Sequence, residues 1–593
     1  MAGRLVIAVM AGLLALCAAV ASADAATPPK PRALAGKATD SVGAVVRRTK
    51  YGVPHVTART IEGAAYGQAY AFAEDNLCTL ADDMVTVNAE RSRWFGPDAS
   101  YTVSGNQQKY GNLNSDFFYE RINATGKIEA LLAKKPPQGP LPELRQATRG
   151  FVRGYNAYLA DVGGAKGLSD PRCKGEPWVR PITEQDLYRR YFQLGELVSG
   201  LIALDGIANA APVGATSSST RSGMVRELGR RKTGLGVGSN AWGLGGDATD
   251  NGKGAVVGNP HFPWAGSERF YQSHVTVPGQ IDVSGGTLYG VPAVLIGHTK
   301  GLAWSHTVAT AWRLTPFELK LVPGDPYSYF LDGRPTKMKA TKLTVEVKGG
   351  QKRTRTVYET VHGPMFTSLL GLPLFPWTPA TGYAMGDVNA DNFRYLNHFL
   401  ETNKAQTVRQ YDAIQRRYQG IPWVNSLAAD SKGEAYFSMN GAIPNVPNEK
   451  AQRCQTALGL VTFGQLGLPT LDGSRSDCEW GQAAGSADKG LLPNARTPSL
   501  FRRDYVANGN DSHWLINDKA PLEGFDRIVG IERAEVTPRT RLGLTMIRDR
   551  LAGRDGLPGN RFNQRNLEWV ALGNRQYLGE LWRGELVRIC RAD

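Results

Sequence analysis

A serine that follows a glycine is most often a turn residue, yet the surroundings of Gly238-Ser239 could make this one a nucleophile. A serine hydroxyl attacks poorly unless a base sits beside it. Cutting the Gly238–Ser239 bond would place an α-amine on the same residue as the hydroxyl. Such amines have pKa values near 7.7–8.0, so a fraction is neutral at neutral pH and can take a proton. The preceding stretch suits a cut. Ala215-Thr216-Ser217-Ser218-Ser219-Thr220 is small and polar, Arg230-Arg231-Lys232 is basic, and Gly234-Leu235-Gly236-Val237-Gly238 is flexible, which together read as an exposed linker.

Other chemistries find less support. There is no H-E-x-x-H, no C-x-x-C and no P-loop. Lys232-Thr233-Gly234 and Ser486-Ala487-Asp488-Lys489 match the K-T-G and S-x-x-K of β-lactamase-type serine enzymes by letter, but in reversed order. No G-x-S-x-G elbow surrounds Ser239, which argues against an α/β-hydrolase.

The elements that must position Ser239 change character across the linker. Residues 55–210 read as mainly helical. Thr183 with Asp186 forms a capping box opening an amphipathic run through Leu187, Tyr191, Leu194 and Leu197, and Pro136-Pro137-Gln138-Gly139-Pro140 makes a loop. After residue 238 the pattern predicts strands at 255–257, 274–277 and 293–296, and a hairpin of 343–347 and 356–361 about Gly349-Gly350. Helical patterns return at 403–417 and 539–551. The reading is an α+β protein without internal repeats.

Residues 1–25 carry one positive charge, an apolar run from Leu5 to Val20 and the small-residue exit Ala21-Ser22-Ala23-Asp24-Ala25, which predicts a secretory signal peptide and an extracellular or periplasmic protein. No other segment is long and apolar enough to span a bilayer. At 42% hydrophobic and 21% charged, the 593 residues have a globular composition and could build a large core. The net charge of +15 is spread along the chain, which favours a basic exported protein over a nucleic-acid binder. Export permits disulfides. Cys78 with Cys173 and Cys454 with Cys478 are the economical pairings, although spacing leaves the connectivity open. Cys590 is then odd, three residues from Asp593, which suggests that further chain follows.

Six motifs occur in an order that resembles the penicillin acylase family of N-terminal nucleophile hydrolases. They are Tyr51-Gly52-Val53-Pro54-His55, Gly67-Gln68-Ala69-Tyr70-Ala71-Phe72-Ala73-Glu74-Asp75-Asn76, Gly238-Ser239-Asn240-Ala241-Trp242, Gly258-Asn259-Pro260-His261-Phe262, Trp304-Ser305-His306-Thr307-Val308 and Asn508-Gly509-Asn510-Asp511-Ser512. The likeness is greatest to the branch holding acyl-homoserine lactone acylases and aculeacin A acylase. The resemblance implies an αββα four-layer core in a large chain, packed with a mainly helical small chain as a self-processed heterodimer. The expected division is signal peptide 1–25, small chain 26–211, excised spacer 212–238 and large chain 239–593. The implied reaction is removal of a fatty or aromatic acyl group from a small-molecule amide, such as an acyl-homoserine lactone, a lipopeptide or a penicillin, through an acyl-enzyme on Ser239.

The resemblance further implies that the Ser239 amine is the base, that the Val308 N–H and the Asn510 carboxamide hold the oxyanion, and that His261 orients the amine. Arg539 matches a supporting arginine, with Arg541 the other candidate. Phe262, Thr307 and Trp423 are expected at the substrate. The family's calcium-binding members carry acidic residues after the Val308 strand, where this chain has Ala311-Trp312-Arg313-Leu314, so no metal or other cofactor is expected. The alternative is a non-catalytic exported binding protein on the same scaffold.

Overall fold

The structure, a computed structural model, describes residues 32–35, 43–212, 221–234 and 238–592; the expected signal segment lies outside them. A ten-stranded sheet runs through Arg32–Ala35, Gly43–Arg48, Pro54–Ala58, Phe270–Val277, Ile281–Leu288, Ile296–His298, Leu302–Val308, Val424–Asp430, Ala435–Ser438 and Ser499–Arg502. Its neighbours are antiparallel except Pro54–Ala58 and Phe270–Val277, which run parallel with Val56 opposite Val275. Strands from before the linker and strands from after it therefore share one sheet.

A second sheet holds Tyr505–Asn508, Gly238–Leu244 and Ala255–His261 in that order. It packs face to face on the Leu302–Val308 and Val424–Asp430 strands. Helices close both outer faces. Helix Val408–Tyr418 lies on the large sheet, with Tyr411 against Trp304 and Tyr436. Helix Pro538–Leu551 sets Leu544 and Ile547 against Trp242, Leu244 and Tyr505 of the small sheet. The layers thus run helix, sheet, sheet, helix. This explains why Val424–Asp430 is buried at every residue and shows no polar alternation: both of its faces are covered.

Before the linker, the long helix Ile61–Val87 starts at Thr60, whose side chain accepts from the Gly63 N–H, and pairs with helix Pro142–Asp161. The contact needs glycine. A Cβ on Gly150 would lie 2.1 Å from Glu62 O, and one on Gly154 would lie 2.1 Å from Tyr66 O. The Thr183–Asp186 capping box opens helix Glu184–Gly195. Disulfides join Cys78 to Cys173 and Cys454 to Cys478, while Cys590 is free and exposed. Among the described residues, no helix is long and apolar enough to cross a membrane.

The local readings hold in part. The hairpin forms as Lys339–Glu346 and Lys352–Thr360, with Gly349 and Gly350 at φ 91° and 79°. The 293–296 strand is displaced to Ile296–His298. Val294 needs no ladder, because the Asn403 side chain accepts from its N–H at 2.9 Å and donates to its C=O at 2.8 Å. Asn403 in turn ends helix Arg394–Thr402, so the helix read at 403–417 begins instead at Val408, capped by Thr407. The linker also departs from its composition: Arg221–Thr233 is a helix with Val225 and Leu228 fully buried. Two apolar residues three positions apart on one helical face outweigh the polar and basic residues around them.

Candidate active site

Ser239 is almost fully buried near the start of the central strand of the small sheet. Pairing with Ala255–His261 sets Gly238 opposite His261 and Asn240 opposite Asn259. Pairing with Tyr505–Asn508 sets Ala241 opposite Asn508, so the Gly509–Asn510 turn folds back over Ser239. Asn510 adopts φ 72°, a left-handed conformation that asparagine tolerates better than most residues. The turn is held by the Asn510 N–H donating to Asn508 Oδ1 at 2.9 Å and by Asn508 Nδ2 donating to Asp511 O at 2.9 Å.

This turn brings Asn510 Oδ1 within 2.7 Å of the Ser239 nitrogen, whose N–H it accepts. Asn510 Nδ2 donates to Val308 O at 3.0 Å. The ladder between the Val308 strand and Val424–Asp430 closes through the Ala309 N–H to Trp423 O at 3.1 Å. Val308, opposite Val424, is therefore a non-hydrogen-bonded position whose N–H and C=O both point away from that neighbour. Its N–H lies on the side where Asn510 stands, and the amide of Asn510 keeps a second proton. Asn510 thus bridges the Ser239 nitrogen and the Val308 backbone.

Arg539 completes the cluster. Its Nη1 donates to Ser239 O at 2.6 Å and to Asn240 Oδ1 at 2.8 Å, and its Nη2 donates to Asn510 Oδ1 at 2.9 Å. Arg541 points elsewhere, to Val536 O and Glu535. The Ser239 hydroxyl donates to Gly238 O at 2.5 Å, against the bond proposed for scission. His261 sits beside Gly238, where a Cβ would lie 3.1 Å from its Nδ1. Its Nε2 engages Asn259 Oδ1 at 2.9 Å and Asn240 Nδ2 at 3.2 Å, rather than Ser239. With the 238–239 bond intact, Gly238 fills the space between them. Partial burial and the Arg539 charge lower the imidazole pKa, which favours its neutral form.

Behind Ser239 lies a narrow apolar cavity of about 50 Å³, lined by Leu194, Phe262, Phe270, Leu288, Phe399 and Trp423 among others. Phe262 and Trp423 stack at 5.9 Å with a 19° tilt. The indole of Trp423 is fixed by its Nε1–H donating to Leu194 O at 2.9 Å, so one wall comes from before the linker. Thr307 is not in this wall. Fully buried, it donates to Asn508 Oδ1 at 2.6 Å and accepts from Asn425 Nδ2 at 3.0 Å. It ties the large sheet to the Asn510 turn. Sequence reasoning missed Leu194 as cavity wall and the anchoring roles of Asn240, Asn259 and Asn508, although all three asparagines stand in the quoted motifs.

Among the described residues, no group of three or more metal-ligating side chains is gathered. At 311–314, Trp312 and Arg313 are buried, and the guanidinium would repel a cation.

Comparison with known proteins matches residues 43–591 to the family described as Penicillin amidase. Aculeacin-A acylase from Actinoplanes utahensis is 42% identical over 95% of this chain and 71% of the relative. The acyl-homoserine lactone acylase PvdQ of Pseudomonas savastanoi pv. phaseolicola is 35% identical, covering 95% of this chain and 70% of its own. Penicillin G acylase from Escherichia coli is 25% identical over 51% of this chain and 33% of that enzyme.

Proposed function

Because the chain belongs to the penicillin amidase family of amide hydrolases, we propose that it is an exported acylase that cuts itself at Gly238–Ser239. It then hydrolyses acyl amides through an acyl-enzyme on Ser239. The observation that carries this reading is the placement of Ser239: nitrogen on Asn510 Oδ1, hydroxyl on Gly238 O, apolar cavity behind.

In the first step the hydroxyl oxygen attacks the Gly238 carbonyl carbon and the peptide C–N bond breaks, giving an ester that water hydrolyses. This cut frees 239–593 as the large chain; hydrolysis of a second peptide bond, after residue 211, is needed to release 212–238 and leave 26–211 as the small chain. In the second step the freed amine takes the hydroxyl proton, directly or through one water. The oxygen attacks the substrate carbonyl, and the Val308 N–H and Asn510 Nδ2 hold the tetrahedral oxyanion. Each such donor is worth about 2.7–4 kcal/mol in the barrier. The amine leaves with the proton, and water releases the acid from Ser239.

Arg539 sets the working pH. A guanidinium close to the new amine disfavours the ammonium, so the amine should titrate below its ordinary 7.7–8.0. Activity is then present above that pKa and lost as pH falls through it. Arg539→Gln should move the acidic limb of the kcat/KM profile upward by roughly one unit, or ~1.4 kcal/mol; an unmoved limb would remove Arg539 from this role.

The cavity predicts acyl selectivity. Burying a methylene gains about 0.8 kcal/mol, or about fourfold in kcat/KM for each CH₂ that enters. A straight-chain series should rise at that slope and then level. Because the cavity is small, long chains need more room than it offers, and Phe262→Ala, which removes a ring from its wall, should carry the rise to longer chains. A flat series would argue against the cavity as acyl site.

The reading as a whole is tested by denaturing gels with N-terminal sequencing, which should find a chain starting at Ser239. A panel of acyl-homoserine lactones, lipopeptides and penicillins assayed for free carboxylic acid completes the test. Release of no acid from any of them would favour a non-catalytic binding protein.

A further inference from the structure

The helix Arg221–Thr233, within the segment proposed for excision, packs on helix Ala457–Leu466. Its last turn carries Lys232, whose Nζ donates to Thr310 O at 2.6 Å and stands 3.6 Å from the centre of the Trp312 ring. Among the described residues, no carboxylate pairs with this ammonium. The seat is built by the body of the protein and not by the helix. The Trp312 N–H donates to Ile528 O at 3.0 Å, its Nε1–H to Leu466 O at 2.8 Å, and Thr310 Oγ1 to Val529 O at 3.1 Å. The carbonyl and the indole face keep these positions when the helix departs.

The location suits a substrate group. Thr310 is two residues past Val308, a span of at most about 7 Å, so the seat is within reach of a molecule held at the oxyanion donors. Neither Thr310 nor Trp312 lines the acyl cavity. With the acyl chain directed there, the amine half of the amide must extend another way.

The geometry points to a cation subsite for that amine half: once the spacer is gone, the Trp312 face and the Thr310 carbonyl receive a second, positively charged amine on the leaving group, as in a monoacylated diamine or a lysine-like amide. This deepens the acylase reading and rests on it. A cation above an indole is attracted by the ring's negative face, and the carbonyl adds a charge-assisted hydrogen bond. In the uncleaved chain Lys232 stands in for that group. Burial and then the neighbouring Arg313, whose Nη1 donates to Ala442 O, draw the Lys232 ammonium down to about 7. A substrate ammonium meets the same Arg313 charge but more water, so the preference is modest, about five- to tenfold.

Two measurements test it. On the processed enzyme, an acyl-1,4-diaminobutane should exceed the acyl-pentylamine of equal acyl length by that factor in kcat/KM. The ratio should fall towards one in Trp312→Leu and as pH passes the pKa of the free amine. A ratio near one in active wild type, or one that survives Trp312→Leu, overturns the subsite. Independently of processing or turnover, Ser239→Ala with Lys232→Ala should bind n-butylammonium saturably in a calorimetric titration. The same protein should not bind n-pentanol, and adding Trp312→Leu should abolish the ammonium binding. No binding overturns the subsite while leaving the acylase reading intact; binding by a protein whose wild type hydrolyses no amide keeps the subsite and ends the acylase reading.

Discussion

Ser239→Ala is expected to give one uncleaved polypeptide on a denaturing gel and to lower kcat by about a millionfold, the usual scale for removing a nucleophile. Both losses trace to one atom. The Ser239 hydroxyl lies against the carbonyl of the bond proposed for scission, and Ser239 also lines the apolar cavity proposed for the acyl group. Alanine removes the attacking group from both steps while keeping the backbone bond to Asn510 Oδ1, so the fold should survive and the spacer helix should stay docked. Ser239→Cys separates the two steps. A thiol is the better nucleophile at neutral pH, so scission should continue while most turnover is lost. Cleavage at 238–239 in Ser239→Ala would mean that another agent performs the cut.

Asn510→Ala should cost about 10²–10³ in kcat with a smaller change in KM, because an oxyanion donor acts in the transition state more than on bound substrate. The same change removes the acceptor for the Ser239 nitrogen, so processing should slow as well. Asn510→Asp distinguishes the two roles. It keeps an oxygen facing the amine but loses the Nδ2 protons and adds negative charge where negative charge must develop. Its kcat should fall at least as far as that of the alanine variant. The carboxylate should also favour the ammonium form and move the acidic limb of the pH profile upward, opposite to the expected effect of Arg539 itself. Equal kcat in wild type and Asn510→Asp would exclude Asn510 as an oxyanion donor.

Taken singly, Ser239, Asn510 and Val308 read as a turn serine, a turn asparagine and a strand valine; only the order of the motifs in the family resemblance links them, and in the structure Asn510 touches both the Ser239 nitrogen and the Val308 carbonyl. Arg539 and Arg541 could not be separated, since only the helix phase of Pro538–Leu551 decides which one faces Ser239. The orientation of Thr307 was not legible for a related reason. A threonine in a strand near a site can face ligand or core, and that choice depends on Asn425 and Asn508 arriving from distant segments. The spacer helix escaped detection because its apolar docking residues are few, Val225 and Leu228 with Met224 partly buried beside them, too little apolar signal against basic neighbours. The hairpin at 339–360 was legible because its turn and alternation are local.

The parallel pairing of Pro54–Ala58 with Phe270–Val277 determines what severing the backbone can achieve. Each disulfide closes within its own proposed product, at 78–173 and 454–478, so among the described residues no disulfide would tie the halves. Yet pulling them apart would expose an interior seam of hydrogen bonds and strip Leu194 from Trp423. The halves should therefore denature together in a single transition, as two strings sharing one knot.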